Sequence, residues 1–367
     1  MADPAIAVNL LWCVPGDVGG SEEYLVRQLL GLAESASHLR PTLYVVDGFV
    51  EVHHELTELF PTVVASFNGA SRARRIAGEA TWFRRRTRRA DLRHHGGGAA
   101  PPGAVRPYVL TIPDLQDRTY PGYFSRTKRA YLAAMIGRSV RQARMVAVPS
   151  QYVRESVVEA YGIAPTKVRV VPHGVEPDLL ENVTDEHQLR QRFSLGDGPV
   201  IVYPAVTHPH KNHQFLIDLL KTRWTDPDLR LVLTGGSGAA ERSIAAATDP
   251  RIRRLGRVTA ADRNGLLKMA EALVFPSQYE GFGAPLIEAM ALGCPVIASD
   301  STCIPAVVDN AGLVLPRSID AWADALDRVH QNRAAMIAAG LRRAEAFTAK
   351  ASGAALAGVY RAALEHS

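Results

Sequence analysis

The sequence predicts an α/β fold of two Rossmann-like domains facing each other across a cleft, and three observations predict it. Short apolar strand-like runs alternate with helix-like stretches along the chain, the pattern of parallel sheets. The length of 367 residues exceeds one ordinary core and suits two domains. The turn-forming run Gly196-Asp197-Gly198-Pro199 separates two such alternating series. The expected divisions are residues 1–176, residues 177–345, and a last helix over 346–367 that packs back on the first domain.

The elements follow in order. Ile6–Leu11 reads as a first strand, which Pro15 to Gly20 break, and Ser21 reads as the cap of a helix with Leu25, Leu29 and Leu32 inward. Thr42–Val46, Val63–Ala65, Val109–Ile112, Met145–Val148 and Val168–Val171 read as further strands. Ser150 opens a helix that Gly162 closes after Tyr161. From Asp91 to Pro107 the Gly- and Pro-rich composition predicts a long loop with no regular element. In the second series the strands are Val200–Tyr203, Leu231–Thr234, Ala272–Phe275, Pro295–Ala298 and Gly312–Leu315. Helices are expected at His213–Leu220, Ala260–Met269, Pro285–Leu292, Ile319–His330 and Lys350–Glu365, the last with Leu356, Val359, Tyr360 and Leu364 on its apolar face.

Composition narrows the function. Hydrophobic residues make up 47% of the chain, and no apolar run approaches the roughly 20 residues that span a bilayer. Met1-Ala2-Asp3-Pro4 lacks the layout of a secretory signal. Cys13, Cys294 and Cys303 have no metal-ligand spacing and read as reduced thiols of a cytoplasmic protein. Net charge is +5, and nine arginines lie between Arg72 and Arg93. Without interleaved aromatics they argue against nucleic acid as a partner; an anionic membrane face, a phosphorylated substrate and a solvated helix face stay open.

Two glycine loops are candidates for a diphosphate. Amides at Gly19 and Gly20 stand at a helix start, where partial positive charge favours anions. Neither that loop nor Thr234-Gly235-Gly236-Ser237-Gly238 has the dinucleotide spacing, and no P-loop occurs, which counts against hydride transfer and P-loop phosphoryl transfer. The strongest constellation is Glu280-Gly281-Phe282-Gly283-Ala284-Pro285-Leu286-Ile287-Glu288, two carboxylates flanking a glycine turn that opens a helix. Carboxylates accept paired hydrogen bonds from vicinal hydroxyls, and the Gly281 to Gly283 amides point to a ligand at the helix start. Asp226-Pro227-Asp228 matches a metal-binding pair literally, but lies in a polar loop ahead of a strand, so no metal ligands are assigned. His53-His54 and His94-His95 read as surface histidines, whereas His173 stands beside Gly174 at a strand end.

The stretch from Phe275 to Asp300 resembles the signature of glycosyltransferase family four, a group of retaining enzymes with the GT-B fold. Val171-Pro172-His173-Gly174-Val175, Pro209-His210-Lys211-Asn212-His213 and Leu255-Gly256-Arg257-Val258 resemble its other motifs. Pro113-Asp114-Leu115-Gln116 and Tyr120 to Ser125 resemble a subgroup containing mannosyltransferases. The resemblance implies that Lys211, backed by His210, holds the donor phosphates, that Glu280 lies by the donor sugar, that Glu288 binds the ribose and that Arg257 lines the base. Gly19, Gly20, His173, Gly281, Phe282 and Gly283 complete the donor contacts, and Asp114 orients the acceptor hydroxyl. Two positions depart from the pattern: Pro113 stands where relatives carry a histidine, and Ala205 stands where many carry an arginine. The implied activity is transfer of a hexose, mannose from GDP-mannose, to a saccharide or glycolipid in polysaccharide biosynthesis, with no cofactor and no metal. A UDP-sugar transferase and a nucleotide-sugar epimerase are the alternatives.

Overall fold

A computed structural model of the chain describes residues 3–16, 19–67, 69, 71–176 and 178–365. It divides into two compact units, residues 1–174 with 348–367, and residues 175–347. The first is built on strands β1 (Ile6–Asn9), β2 (Thr42–Val45), β3 (Thr62–Val64), β4 (Leu92–His95), β5 (Tyr108–Thr111), β6 (Met145–Val148) and β7 (Val168–Val170). The second carries β8 (Val200–Pro204), β9 (Arg230–Thr234), β10 (Ile252–Gly256), β11 (Ala272–Phe275), β12 (Val296–Ser299) and β13 (Leu313–Leu315). The strand orders are 3-2-1-4-5-6-7 and 10-9-8-11-12-13, parallel throughout. In each sheet the chain steps outward from its first strand and then reverses. The reversal falls between β1 and β4 in one sheet and between β8 and β11 in the other. Loops leaving such a pair diverge in opposite directions and open a crevice at the carboxyl ends.

Helix boundaries follow local chemistry. Ser150 Oγ accepts from the Val153 amide, and Gly162, at φ 60°, ends the Gln151–Tyr161 helix in the left-handed region. Ser21 is not a cap. The first helix runs Gly20–Ser35 with Gly19 at its N-cap, at φ 68°, a conformation glycine adopts without strain. Asp17 and Val18 of the same loop lie outside the described residues. The Arg72–Gly78 helix continues through a π-helical turn at Glu79–Phe83 into Arg84–Arg86. The Arg126–Gln142 helix and the extension of Ala325–Ala344 beyond His330 are further elements that the sequence reading did not identify.

The expected loop between Asp91 and Pro107 contains β4, the strand beside β1 at the centre of the first sheet. Three of its four residues are polar, which hid it, yet all four are buried. Partners outside the strand bind each of the three: Arg93 donates to the Thr87 carbonyl, His94 shares hydrogen bonds with the Tyr360 hydroxyl at 2.8 Å and the Thr111 hydroxyl at 2.7 Å, and Asn9 Nδ2 donates to His95 Nδ1 at 3.1 Å. His94 and His95 are therefore not surface histidines. The nine arginines likewise form no single face, because Arg93 is core while Arg84, Arg85 and Arg86 are exposed.

The last helix, Ala349–Glu365, belongs to the first unit and buries Leu356, Val359 and Tyr360. Its backbone touches that of the first helix. A Cβ added at Gly353 would come 1.9 Å from the Gly31 carbonyl carbon, so both crossing positions require glycine.

Burial pushes His94 and His95 down to about 3, and His213 down to about 4. The unfolded chain binds protons at these sites below pH 6.5, and the folded chain does not until far lower, so stability falls as pH drops through that window. At pH 5 each costs about 2 kcal/mol, which outweighs the opposite effects of the raised His53 and Glu79. Urea unfolding should therefore show lower stability at pH 5 than at pH 7, and equal or greater stability at pH 5 would contradict this burial.

Candidate functional site

The constellation singled out in the sequence comes together at the reversal point of the second sheet. The loop after β8 carries Lys211 at the end of a 3-10 turn, Pro209–Lys211, and the loop after β11 carries Glu280. Lys211 Nζ donates to Glu280 Oε1 at 2.6 Å, with the two side chains only 20% and 11% exposed. Such a pair is costly to desolvate and persists only in a well-fixed frame. Hydrogen bonds between the two loops supply that frame. The Gln278 amide donates to the His210 carbonyl at 2.7 Å, and Asn212 Nδ2 donates to the Pro276 carbonyl at 3.4 Å. The buried Tyr203 hydroxyl donates to the Lys211 carbonyl at 2.7 Å and shares a bond with Ser277 Oγ at 2.9 Å. Ser299 Oγ then donates to the Ser277 carbonyl at 2.6 Å.

Around the pair the backbone is held in uncommon conformations. Asn212, Gly283 and Thr302 have φ of 57°, 87° and 54°. Only the glycine does so freely; such positions in non-glycine residues cluster at functional sites. Thr302 is locked by a reciprocal contact, its hydroxyl accepting from the Glu280 amide and donating to the Glu280 carbonyl, both at 3.1 Å. Cys303 Sγ donates to the same carbonyl at 3.3 Å.

Gly281, Phe282 and Gly283 lead directly into the Ala284–Ala291 helix, whose N-cap, Gly283, offers no side chain. The partial positive charge of that terminus therefore stands three residues after Glu280, the partner of Lys211, where an anion or hydroxyl is favoured. The Phe282 ring packs edge-on against Phe347, with centroids 5.5 Å apart. Glu288 lies about one turn into the helix and is 2% exposed. His210 is buried, and burial with the Lys211 charge pushes it down to about 3; His208 is lowered by the same two causes. Both rings are neutral near pH 7, so Lys211 is the cation of its turn.

Other candidates sit elsewhere in their units. Arg257 is exposed just after β10, close enough to Gly236 that a Cβ there would come 3.2 Å from Arg257 Nε. In the first unit, Gly19 and Gly20 open the first helix, and His173 stacks on Tyr24 of that helix with centroids 4.2 Å apart. Asp114 Oδ1 accepts from the Gln116 amide at 3.0 Å in a turn after β5. Asp226 Oδ1 accepts from the Asp228 amide at 2.8 Å in an exposed turn. Sequence reasoning missed Tyr203, Ser277 and Thr302. No local pattern marks them, since their roles arise from pairing between strands far apart in the chain.

Two family descriptions match this chain: "Glycosyltransferase Family 4" over residues 18–179 and "Glycosyl transferases group 1" over residues 185–345. O-antigen chain mannosyltransferase B of Escherichia coli is 27% identical over 243 residues, covering 63% of each chain. D-inositol 3-phosphate glycosyltransferase of Jonesia denitrificans is 33% identical over 213 residues, covering 51% of this chain and 50% of that one. The matches thus span between half and two thirds of these curated relatives' length. Among solved structures, HepE of Anabaena in complex with UDP and glucose superposes with a TM-score of 0.75 at 20% identity, covering 97% of this chain and 99% of that one. Sucrose-phosphate synthase from Thermosynechococcus elongatus gives 0.77 at 22%, covering 99% and 100%. These likenesses establish the GT-B fold.

If the ion pair organises the two loops, its members must be energetically coupled. A double-mutant cycle with Lys211→Ala and Glu280→Ala, followed by urea unfolding, should give a coupling energy of about 2 kcal/mol. Additivity within about 0.5 kcal/mol would show that the pair does not hold the loops.

Proposed function

The chain belongs to the group 1, family 4 glycosyltransferases, and on that premise we propose that it moves a hexose, mannose from GDP-mannose, onto a hydroxyl of a saccharide or glycolipid. Configuration at the anomeric carbon is retained and no metal ion takes part. The observation that carries this reading is the Lys211–Glu280 pair at the reversal point of the second sheet, beside the open glycine start of a helix. Departure of a nucleoside diphosphate leaves negative charge on the β-phosphate, and fixed donors in a dry site are the efficient way to stabilise it. Lys211 supplies a full charge, and the Gly281 to Gly283 backbone supplies amides and the helix terminus. Glu280, already an acceptor for Lys211, accepts from a sugar hydroxyl as the lysine turns to phosphate.

The bond that breaks joins the anomeric carbon to the β-phosphate oxygen, and the bond that forms joins that carbon to the acceptor oxygen. The acceptor proton passes to the departing phosphate, so no protein nucleophile is required. Asp114 orients the acceptor hydroxyl; Glu288 binds the ribose; Arg257 lines the base; Gly19, Gly20, His173 and His210 complete the donor contacts. With Ala205 in place of a second cation, Lys211 carries more of the leaving-group charge. The mannosyltransferase named among the relatives supports mannose as the sugar.

Thermal unfolding with nucleotides tests the donor. GDP at 100 times its Kd should add about 2.7 kcal/mol of stability, more than UDP at equal concentration. A larger shift with UDP would move the reading to a UDP-sugar.

Kinetics of two variants test the roles. Lys211→Ala should lower kcat/KM at least roughly 100-fold, because it removes transition-state charge stabilisation. Glu288→Ala should act chiefly through donor KM, because ribose contacts are equal in ground and transition states. The reverse pattern, or loss of wild-type turnover in excess EDTA with recovery on adding manganese, would refute the assignment.

A further inference from the structure

The first sheet has a reversal point of its own, and a cavity lies there. It measures about 150 Å³ and is walled by Asn9 at the end of β1 and Trp12 beyond it, by Arg72, Arg75 and Glu79 from the helix and its π turn, and by Tyr131. A cavity of this size admits a six-membered ring. Among the described residues, the charged side chains lining it are two guanidinium groups and one carboxyl, a cationic balance.

Its construction is specific. Glu79 is only 8% exposed, and its carboxyl is pushed up to about 7 by burial, against the opposing pull of Arg75 and a hydrogen bond with Asn9. Asn9 is itself fixed: its Oδ1 accepts from the Leu11 amide at 3.1 Å, while its Nδ2 donates to His95, its register partner on β4. Keeping a carboxyl out of water costs free energy that a purely structural residue would avoid. Glu79 also begins the π-helical turn, a rare form found often at functional sites. Trp12 is held flush against the glycine run after β4, where a Cβ at Gly97 would come 2.7 Å from Trp12 Cγ. Arg72 lies 5.3 Å from the centroid of the half-exposed Tyr131 ring. Aromatic walls suit the C–H faces of a sugar; a carboxyl and an amide suit its hydroxyls; paired guanidinium groups suit an anionic substituent.

We propose that this cavity is the acceptor subsite and that it takes an anionic saccharide, its carboxylate or phosphate lying against Arg72 and Arg75 and one of its hydroxyls donating to Glu79. The inference rests on the transferase reading for the word acceptor, while the ligand chemistry rests on the cavity alone.

Saturation-transfer NMR on the full chain tests it with three probes: methyl glucuronide, glucose 6-phosphate and methyl glucoside. At least one anionic probe should bind about tenfold more tightly than the glucoside. Binding of the glucuronide alone identifies a carboxylate ligand, and binding of glucose 6-phosphate alone a phosphate. Arg75→Gln should weaken the anionic probe about tenfold, and Glu79→Gln several-fold, with the GDP-induced thermal shift unchanged in both. Should Arg75→Gln fail to fold, the exposed Arg72→Gln gives the same reading. The proposal is overturned if no probe binds, if the glucoside binds as well as the anions, or if the arginine variants leave anion binding intact; Arg75 and Glu79 would then be a structural pair one helical turn apart. Absence of any nucleotide shift in the wild type would instead defeat the transferase reading, with the saccharide result standing separately.

Discussion

Two charges brought to 2.6 Å at the edge of a sheet and largely shut off from water set the terms for the second unit. Desolvating Lys211 and Glu280 is unfavourable unless each stays exactly opposed to its partner, so the loops that carry them cannot drift. Strand order solves the problem first: β8 and β11 are neighbours although 67 residues lie between Pro204 and Ala272, and their loops leave on either side of one crevice. The Tyr203–Ser277–Ser299 hydrogen bonds then tie the loops below the pair, and the Thr302 contact ties Glu280 from above. The cost is visible in the backbone, where Asn212 and Thr302 occupy a region that residues with a Cβ avoid.

The same geometry recurs in the first unit with different chemistry. There β1 and β4 form the reversal point, and Asn9 and His95 are cross-strand partners at its carboxyl end. Where the second unit presents one lysine and one glutamate, the first presents two arginines and a carboxyl of raised pKa against aromatic walls. A leaving phosphate requires a concentrated charge near helix amides; a sugar bearing an anion requires a broader, mixed surface. One fold rule thus yields two sites that suit the two partners of a transfer reaction.

Much of this was legible in the sequence, for reasons that differ by element. Buried parallel strands such as Ala272–Phe275 and Met145–Val148 read as apolar runs because both of their faces are covered. Glu280 and the glycine turn stood out because their chemistry is local, a carboxylate and a helix start within a few residues. β4 was illegible because Arg93, His94 and His95 are held by hydrogen bonds with Thr87, Thr111, Asn9 and Tyr360, and nothing near residue 93 announces a partner at residue 360. Glu79 was hidden among arginines for the same reason: its place in a cavity follows from strand order, which pairing decides over long separations.

The central claim is that Lys211 and Glu280 are the polar centre of a nucleotide-sugar site rather than a structural ion pair. A crystal structure of the full chain grown with GDP measures this directly. The account predicts the β-phosphate within about 3 Å of Lys211 Nζ, with the Gly281 to Gly283 backbone facing it. A GDP molecule bound elsewhere, with the Lys211–Glu280 contact unchanged, would contradict it.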